Sequence, residues 1–363
     1  MNFQSVSAPM TKITTLEACR GIAALLVVLY HAGGSMFEIY FGYPSGGWFT
    51  FGHAGVDFFF VLSGFIIFYV HGNDQDRPDR LQTYAYRRFV RIFPMYWVVT
   101  VAMIAASFAV PSIAALSAMQ LQSLVLSFFL LHHDGYPLVS VAWTLEHELL
   151  FYVLFGVAIL NRKIGLAAFG VWACLIAYSA IVGSQSVLLD FLGRDFNILF
   201  FFGMAAAMVV RKRTIPWPRT LVVVGAVIFL GGGMLENGGL NLKEMLGRMV
   251  YGSGATCIVL GLVEAERSAG WRAPSLLLLL GAASYSIYLV HLNALIVVMK
   301  SAGAMNFGAM LPGAVLFAGV VFAAVAAGVI CHLVFERPLL TMLRQRKSMR
   351  GKATTPIAGP HVS

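Results

Sequence analysis

The strongest constraint on this sequence is a succession of apolar runs. Each is about as long as a helix needs to cross a bilayer, roughly 20 residues. They lie at 14–33, 51–71, 93–110, 141–160, 164–182, 195–210, 220–236, 245–263, 275–298 and 312–335. In lipid the backbone must satisfy its own polar groups, so runs of this length are expected as helices. Composition agrees, since 59% of the 363 residues are hydrophobic and 11% are charged. A soluble domain carries about 25% charged residues. So few charges cannot cover a water-facing surface, which excludes a disordered chain, a fibrous protein and an ordinary cytosolic enzyme. The expected fold is an all-α polytopic membrane protein, with about ten transmembrane helices around a central cavity. A further stretch, 112–131, is interrupted by Pro111, Ser112, Gln120 and Gln122 and is expected as an interfacial or re-entrant helix. Residues 1–343 read as a single transmembrane domain and 344–363 as a basic, disordered tail. Thr11 to Thr15 are too polar, and Arg20 too intrusive, for a cleavable signal, so the first span is expected to stay.

The net charge is +9. The cations sit in short clusters between spans: Arg77, Arg80, Arg87, Arg88 and Arg91 in 72–92; Arg162 and Lys163; Arg211, Lys212, Arg213 and Arg219; and Arg344, Arg346, Lys347, Arg350 and Lys352. That spacing marks cytoplasmic loops, not a basic face for nucleic acid, so no nucleic-acid partner is expected. All four clusters fall on one side only if 93–131 crosses once, which puts both termini in the cytoplasm. Trp48, Trp143 and Trp271 lie near span ends, as aromatic belts do. Cys19, Cys174, Cys257 and Cys331 are scattered through apolar segments, with no CxxC and no His at metal spacing. They read as small core residues, and no metal site is expected.

Ionisable residues inside a span are costly and therefore candidates for function. Arg20 and His31 are eleven residues apart, which returns a helix to about the same face some 16 Å along its axis. Singly they read equally well as an arginine snorkelling to the headgroups and a histidine bonded to a backbone carbonyl. Together they favour a lined cavity. Asp57, in GVDFFFVLSGF, reads either as a structural cap or partner for a cationic group, or as a functional acid, and Ser63 and Gly64 read as sites of close helix packing. Arg88 and Arg91 are three apart and share a helix face. Their guanidinium forks suit phosphate oxygens, although the same cluster also marks topology. In Trp143-Thr144-Leu145-Glu146-His147-Glu148 the deeper carboxylate, Glu148, is the preferred acid. Tyr288 and His291 share a face. Glu336 is placed to anchor an arginine at the inner surface, and Pro338 to stop the last helix. At about 1.5 Å per residue, His31, Asp57, Glu148 and His291 fall in the middle to outer half of the bilayer. Arg20, Arg88, Arg91 and Glu336 fall near the inner face. The pattern describes a cationic inner mouth leading to an acid–base centre, which suits a long, thin, phosphorylated ligand such as coenzyme A.

In order along the chain, LEACRGIAALLVVLYHA, GVDFFFVLSGFII, RRFVRIFPMYW, WTLEHELLFYV, YSIYLVH and FERP resemble the transmembrane acyltransferase-3 family, which O-acylates bacterial surface glycans. The resemblance covers residues 16 to about 343. The WTL-x-x-E-x-x-FY form looks most like the branch that acetylates exopolysaccharide, and it puts Glu148, not Glu146, at the family's acid position. Glu17 stands where the family usually has Asp. The resemblance implies transfer of an acetyl group from cytoplasmic acetyl-CoA to a sugar hydroxyl of an exopolysaccharide or its lipid-linked oligosaccharide precursor, in the bacterial inner membrane. It implies that Arg20, Arg88 and Arg91, with Glu336 beside them, hold the CoA phosphates. His31 is then the general base or a covalent relay, oriented by Glu148. Asp57, Tyr288 and His291 are then hydrogen-bonding partners of the acceptor or of the developing oxyanion. A C-terminal extracytoplasmic hydrolase-like domain, which some members carry, is not expected. The rival reading is a proton-coupled transporter or glycan flippase, which also uses intramembrane His and Glu. A cationic cluster at one mouth only, and no evident repeat symmetry, argue against it.

Overall fold

The computed structural model describes residues 13–43, 47, 49–109, 121–183 and 186–353. Among them the regular structure is helical: α1 Thr14–Ala32, α2 Ser35–Phe41, α3 Ala54–His71, α4 Pro78–Ala109, α5 Leu121–Phe128, α6 Trp143–Leu160, α7 Arg162–Val182, α8 Val187–Gly193, α9 Ile198–Lys212, α10 Pro218–Asn237, α11 Met245–Ala269, α12 Ser275–Ala304, α13 Phe307–Met310, α14 Gly313–Cys331 and α15 Arg337–Ala353. Among the described residues, ten helical segments are long and apolar enough to cross a membrane, in register with the ten apolar runs. Phe108, Ile181 and Phe322 are among many large apolar side chains left exposed, as helices facing lipid rather than water require. The protein is an all-α, multi-pass membrane protein.

The chain divides into two compact units, one of residues 1–73 with 194–284, the other of 74–193 with 285–363. The first holds α1, α2, α3, α9, α10, α11 and the opening of α12. Its helices approach to backbone contact at glycines. A Cβ on Gly64 would run into the carbonyl oxygen of Phe200, and one on Gly203 into that of Val61. This is the close packing expected of Gly64, and it locks α3 against α9. Gly203→Ala or Gly64→Ala is expected to force the two helices apart and cost about 1–3 kcal/mol, read as a fall in thermal unfolding temperature in detergent. Gly170→Ala on α7, where a Cβ meets open space, should leave that temperature unchanged or raise it.

The second unit holds α4 to α8, the remainder of α12, and α13 to α15. Tyr84 Oη donates to the Tyr152 carbonyl at 3.0 Å, tying α4 to α6. Tyr96 Oη and Trp97 Nε1 donate to the carbonyls of Ser127 and Phe128 at 2.6 and 3.0 Å, and the Trp97 and Phe128 rings stack. These contacts lay α5 along α4. The eight residues of α5 are the described part of the stretch expected as an interfacial or re-entrant helix. The part of that expectation resting on 110–120, with Pro111, Ser112 and Gln120, lies outside the described residues, as does Trp48.

Three expectations are corrected. The arginine-rich segment 72–92 is not a loop up to the third span. From Pro78 onward it is helical, part of a 32-residue α4 about 48 Å long against a hydrocarbon core of about 30 Å. Hydropathy marks where lipid begins, not where a helix begins. Pro338 does not stop the last helix. A π-helical turn at His332–Glu336 widens the backbone ladder just ahead of it, so the missing N–H is accommodated and α15 continues. The tail expected to be disordered is helical as far as Ala353. Residues 354–363 lie outside the described part.

Candidate functional site

In the first unit, α1 carries Arg20 and His31. Gly21 sits so close to Gly281 and Leu280 that a Cβ there would strike the α12 backbone. This approach brings Arg20 to Ser284, where its Nε donates to Oγ at 3.3 Å. His31 is half-buried, and its Nδ1 lies 2.9 Å from the carbonyl oxygen of Val27, one turn back. A carbonyl can only accept, so Nδ1 carries the hydrogen. In the neutral ring the lone pair is then on Nε2. The ring edge of Tyr30 packs against it at 5.0 Å. Nδ1 is thus held by the backbone of His31's own helix.

Asp57 is fully buried at the start of α3. Both its carboxylate oxygens accept from one nitrogen of Arg248, at 2.8 and 2.9 Å. Arg248 Nε donates to Asp195 at 3.0 Å, its remaining nitrogen to the Lys243 carbonyl at 2.9 Å, and its guanidinium lies 3.7 Å over the Phe196 ring. Beside this, Glu236 is bonded by His53 Nε2 at 2.8 Å and by Tyr251 Oη at 2.6 Å. Of the roles open to Asp57 in the sequence, the geometry supplies the partner of a cation. Sequence reasoning missed Arg248, Asp195, His53 and Glu236. Arg248 lies inside an expected span, so the criterion that selects Arg20 selects it too.

In the second unit, Glu148 accepts from Tyr152 Oη at 2.5 Å, one turn along α6. Arg88 lies 5.6 Å over that tyrosine ring. Glu146 is engaged differently: it is buried, and His132 Nδ1 lies 2.9 Å from its Oε2. Arg91 pairs with Glu336 at 3.1 Å. Glu336 is buried and also accepts from Ser286 Oγ and His332 Nδ1, both at 2.8 Å. This is the arginine anchor expected at that position. Tyr288 Oη is held between the Val141 carbonyl at 3.1 Å and Thr144 Oγ1 at 2.9 Å. His291 is fully buried and its Nδ1 donates to the Tyr288 carbonyl at 2.7 Å. The two bonds of the Tyr288 hydroxyl tie α12 to the start of α6.

Between α4 and α15 lies a cavity of about 480 Å³, within the range of small-molecule sites. Arg87, Arg88 and Arg91 of α4 line it together with Leu340 and Arg344 of α15. Arg88 Nε is buried there with no hydrogen-bond partner. The arrangement can hold a multiply charged anion through guanidinium forks. Separately, a histidine whose Nε2 is basic can accept a proton or attack a carbonyl.

Residues 13–333 match the acyltransferase domain family. The chain is 31% identical to the exopolysaccharide production protein ExoZ of Rhizobium meliloti (strain 1021), over 84% of this chain and 95% of that protein. No solved structure matches it. With the ten spans and the residues of the six matching segments in these positions, the chain belongs to the acyltransferase domain family and is a multi-pass membrane acyltransferase.

Proposed function

We propose that this enzyme moves an acetyl group from cytoplasmic acetyl-CoA to a sugar hydroxyl of an exopolysaccharide or of its lipid-linked precursor. It does so in the bacterial inner membrane, with both termini in the cytoplasm. The observation that carries the chemistry is His31, whose Nδ1 is committed to the Val27 carbonyl, so that Nε2 is the basic nitrogen. The acceptor class rests on the kinship with an exopolysaccharide production protein, and the orientation on the basic clusters between spans.

In direct transfer, His31 Nε2 takes the proton of the sugar hydroxyl as its oxygen bonds to the thioester carbonyl carbon. The tetrahedral adduct collapses, the C–S bond breaks, and the CoA thiolate takes the proton from the imidazolium. In a relay, Nε2 itself bonds to the carbonyl carbon and the CoA thiolate leaves; the hydroxyl oxygen then bonds to the carbonyl carbon of the acetyl-imidazolium, the C–N bond breaks, and the hydroxyl proton passes to the thiolate, leaving neutral His31. Glu148 stabilises the imidazolium in either course, while Arg20, Arg88 and Arg91 hold the donor's phosphates. Tyr288 and His291 support the acceptor end from α12.

The test is transfer of labelled acetyl from acetyl-CoA by the purified, detergent-solubilised protein, supplied with a bacterial glycan fraction. Label is expected on glycan, released by mild alkali as an ester is. Label held on protein when acceptor is left out selects the relay. Folded protein that neither binds CoA nor transfers label overturns the reading.

A further inference from the structure

The family domain ends at residue 333, yet the arginine-lined cavity does not. Its far wall is α15, through Leu340 and Arg344. Tyr86 Oη on α4 donates to the Leu343 carbonyl at 2.9 Å, which fixes that wall one residue from Arg344. The charge is unbalanced. Arg91 is neutralised by Glu336, but among the described residues Arg87, Arg88 and Arg344 have no carboxylate partner. None can come from the C-terminal segment, because 337–363 contains no Asp or Glu while carrying Arg337, Arg344, Arg346, Lys347, Arg350 and Lys352. Three guanidiniums around one cavity repel each other, and a buried Arg88 Nε without a partner forgoes a charge-assisted hydrogen bond. A polyanionic ligand relieves both costs at once.

We propose that α15 completes the donor site and that Arg344 is a phosphate-binding residue for the CoA thioester. This rests on the reading of acetyl-CoA as the donor. Arg88 binds from the buried side of the cavity, and Arg87 and Arg344, both exposed, close on the ligand from its rim. The phosphate chemistry is shared by a membrane lipid headgroup, so the test separates the two sources.

The experiment is calorimetric titration of CoA into the full chain in nanodiscs of zwitterionic lipid, for wild type, Arg344→Ala, Arg344→Lys and Arg88→Ala. Arg344→Ala is expected to weaken CoA binding about tenfold, as loss of one charge-assisted contact at a partly solvated rim does. Arg344→Lys should recover part of that, and the unfolding temperature of all three variants should stay at the wild-type value. Wild-type affinity in Arg344→Ala beside a loss in Arg88→Ala overturns the assignment of Arg344 and leaves the donor reading standing. Folded wild type that binds no CoA overturns the donor reading and this inference with it. Repeating the titration in anionic-lipid nanodiscs decides the source. If anionic lipid competes CoA away from wild type and Arg344→Ala changes only that competition, the ligand of Arg344 is a headgroup and the proposal fails.

Discussion

Purified His31→Ala is expected to lose acetyl transfer by a factor of about 10³ or more while binding CoA within about twofold of wild type. The two halves of this expectation have different origins. Loss of turnover follows from the ring's position on α1, where Nδ1 is held by Val27 and the lone pair on Nε2 is the group able to take a proton or an acyl group. Retained binding follows from the proposed mechanism, in which His31 is the base and the arginines hold the phosphates. His31→Gln restores a polar side chain of similar reach but no base, and should be as inactive as the alanine variant. Arg88→Ala should show the opposite split, a raised KM for acetyl-CoA with a smaller fall in kcat. Full turnover in folded His31→Ala, or equal losses of CoA affinity in both variants, would remove His31 from the chemistry.

How much of the fold and the site is legible in the sequence depends on whether a residue's partner is near along the chain. The ten spans are readable because hydropathy accumulates locally, and the α1 pair because eleven residues on a helix repeat a face. Glu148 with Tyr152 is likewise a one-turn relation. Glu336 is readable as an arginine anchor because it and Arg91 fall at the same depth. What hydropathy cannot see is helix that continues outside the apolar run, so the polar start of α4 reads as loop and α15 as disordered tail. Nor does it report a π turn that lets a helix continue past Pro338. The carboxylate of Asp57 is conspicuous, but Arg248 is 191 residues away. Nothing in the local pattern pairs them. The approach of α3 to α11 that does so depends on tertiary packing.

That pair sets the largest expected effect on stability, and the effect should be asymmetric. Arg248→Met leaves Asp57 fully buried with its guanidinium partner gone. The histidine beside it, His53, has its Nδ1 3.9 Å away and its Nε2 already bonded to Glu236. Removing one member of a buried ion pair costs about 3–5 kcal/mol, enough to shrink the folded peak in size-exclusion chromatography and lower the unfolding temperature. Asp57→Asn is different. The amide oxygen still accepts from Arg248, which keeps Asp195 and the Lys243 carbonyl, so about 1–2 kcal/mol should be lost. Combining Arg248→Met with Asp57→Leu removes both charges together. It should be more stable than Arg248→Met alone, since replacing a buried pair by apolar groups is often close to neutral, and Asp195 at the rim remains reachable by water. Thermal unfolding in detergent orders the four proteins. A double variant no more stable than Arg248→Met would break the argument that the uncompensated carboxylate is what costs. Turnover then separates a structural carboxylate from a reacting one. Folded Asp57→Asn should retain most of its activity, because both oxygens of Asp57 are engaged by Arg248. A folded but inactive Asp57→Asn would move that carboxylate from the ion network into the reaction.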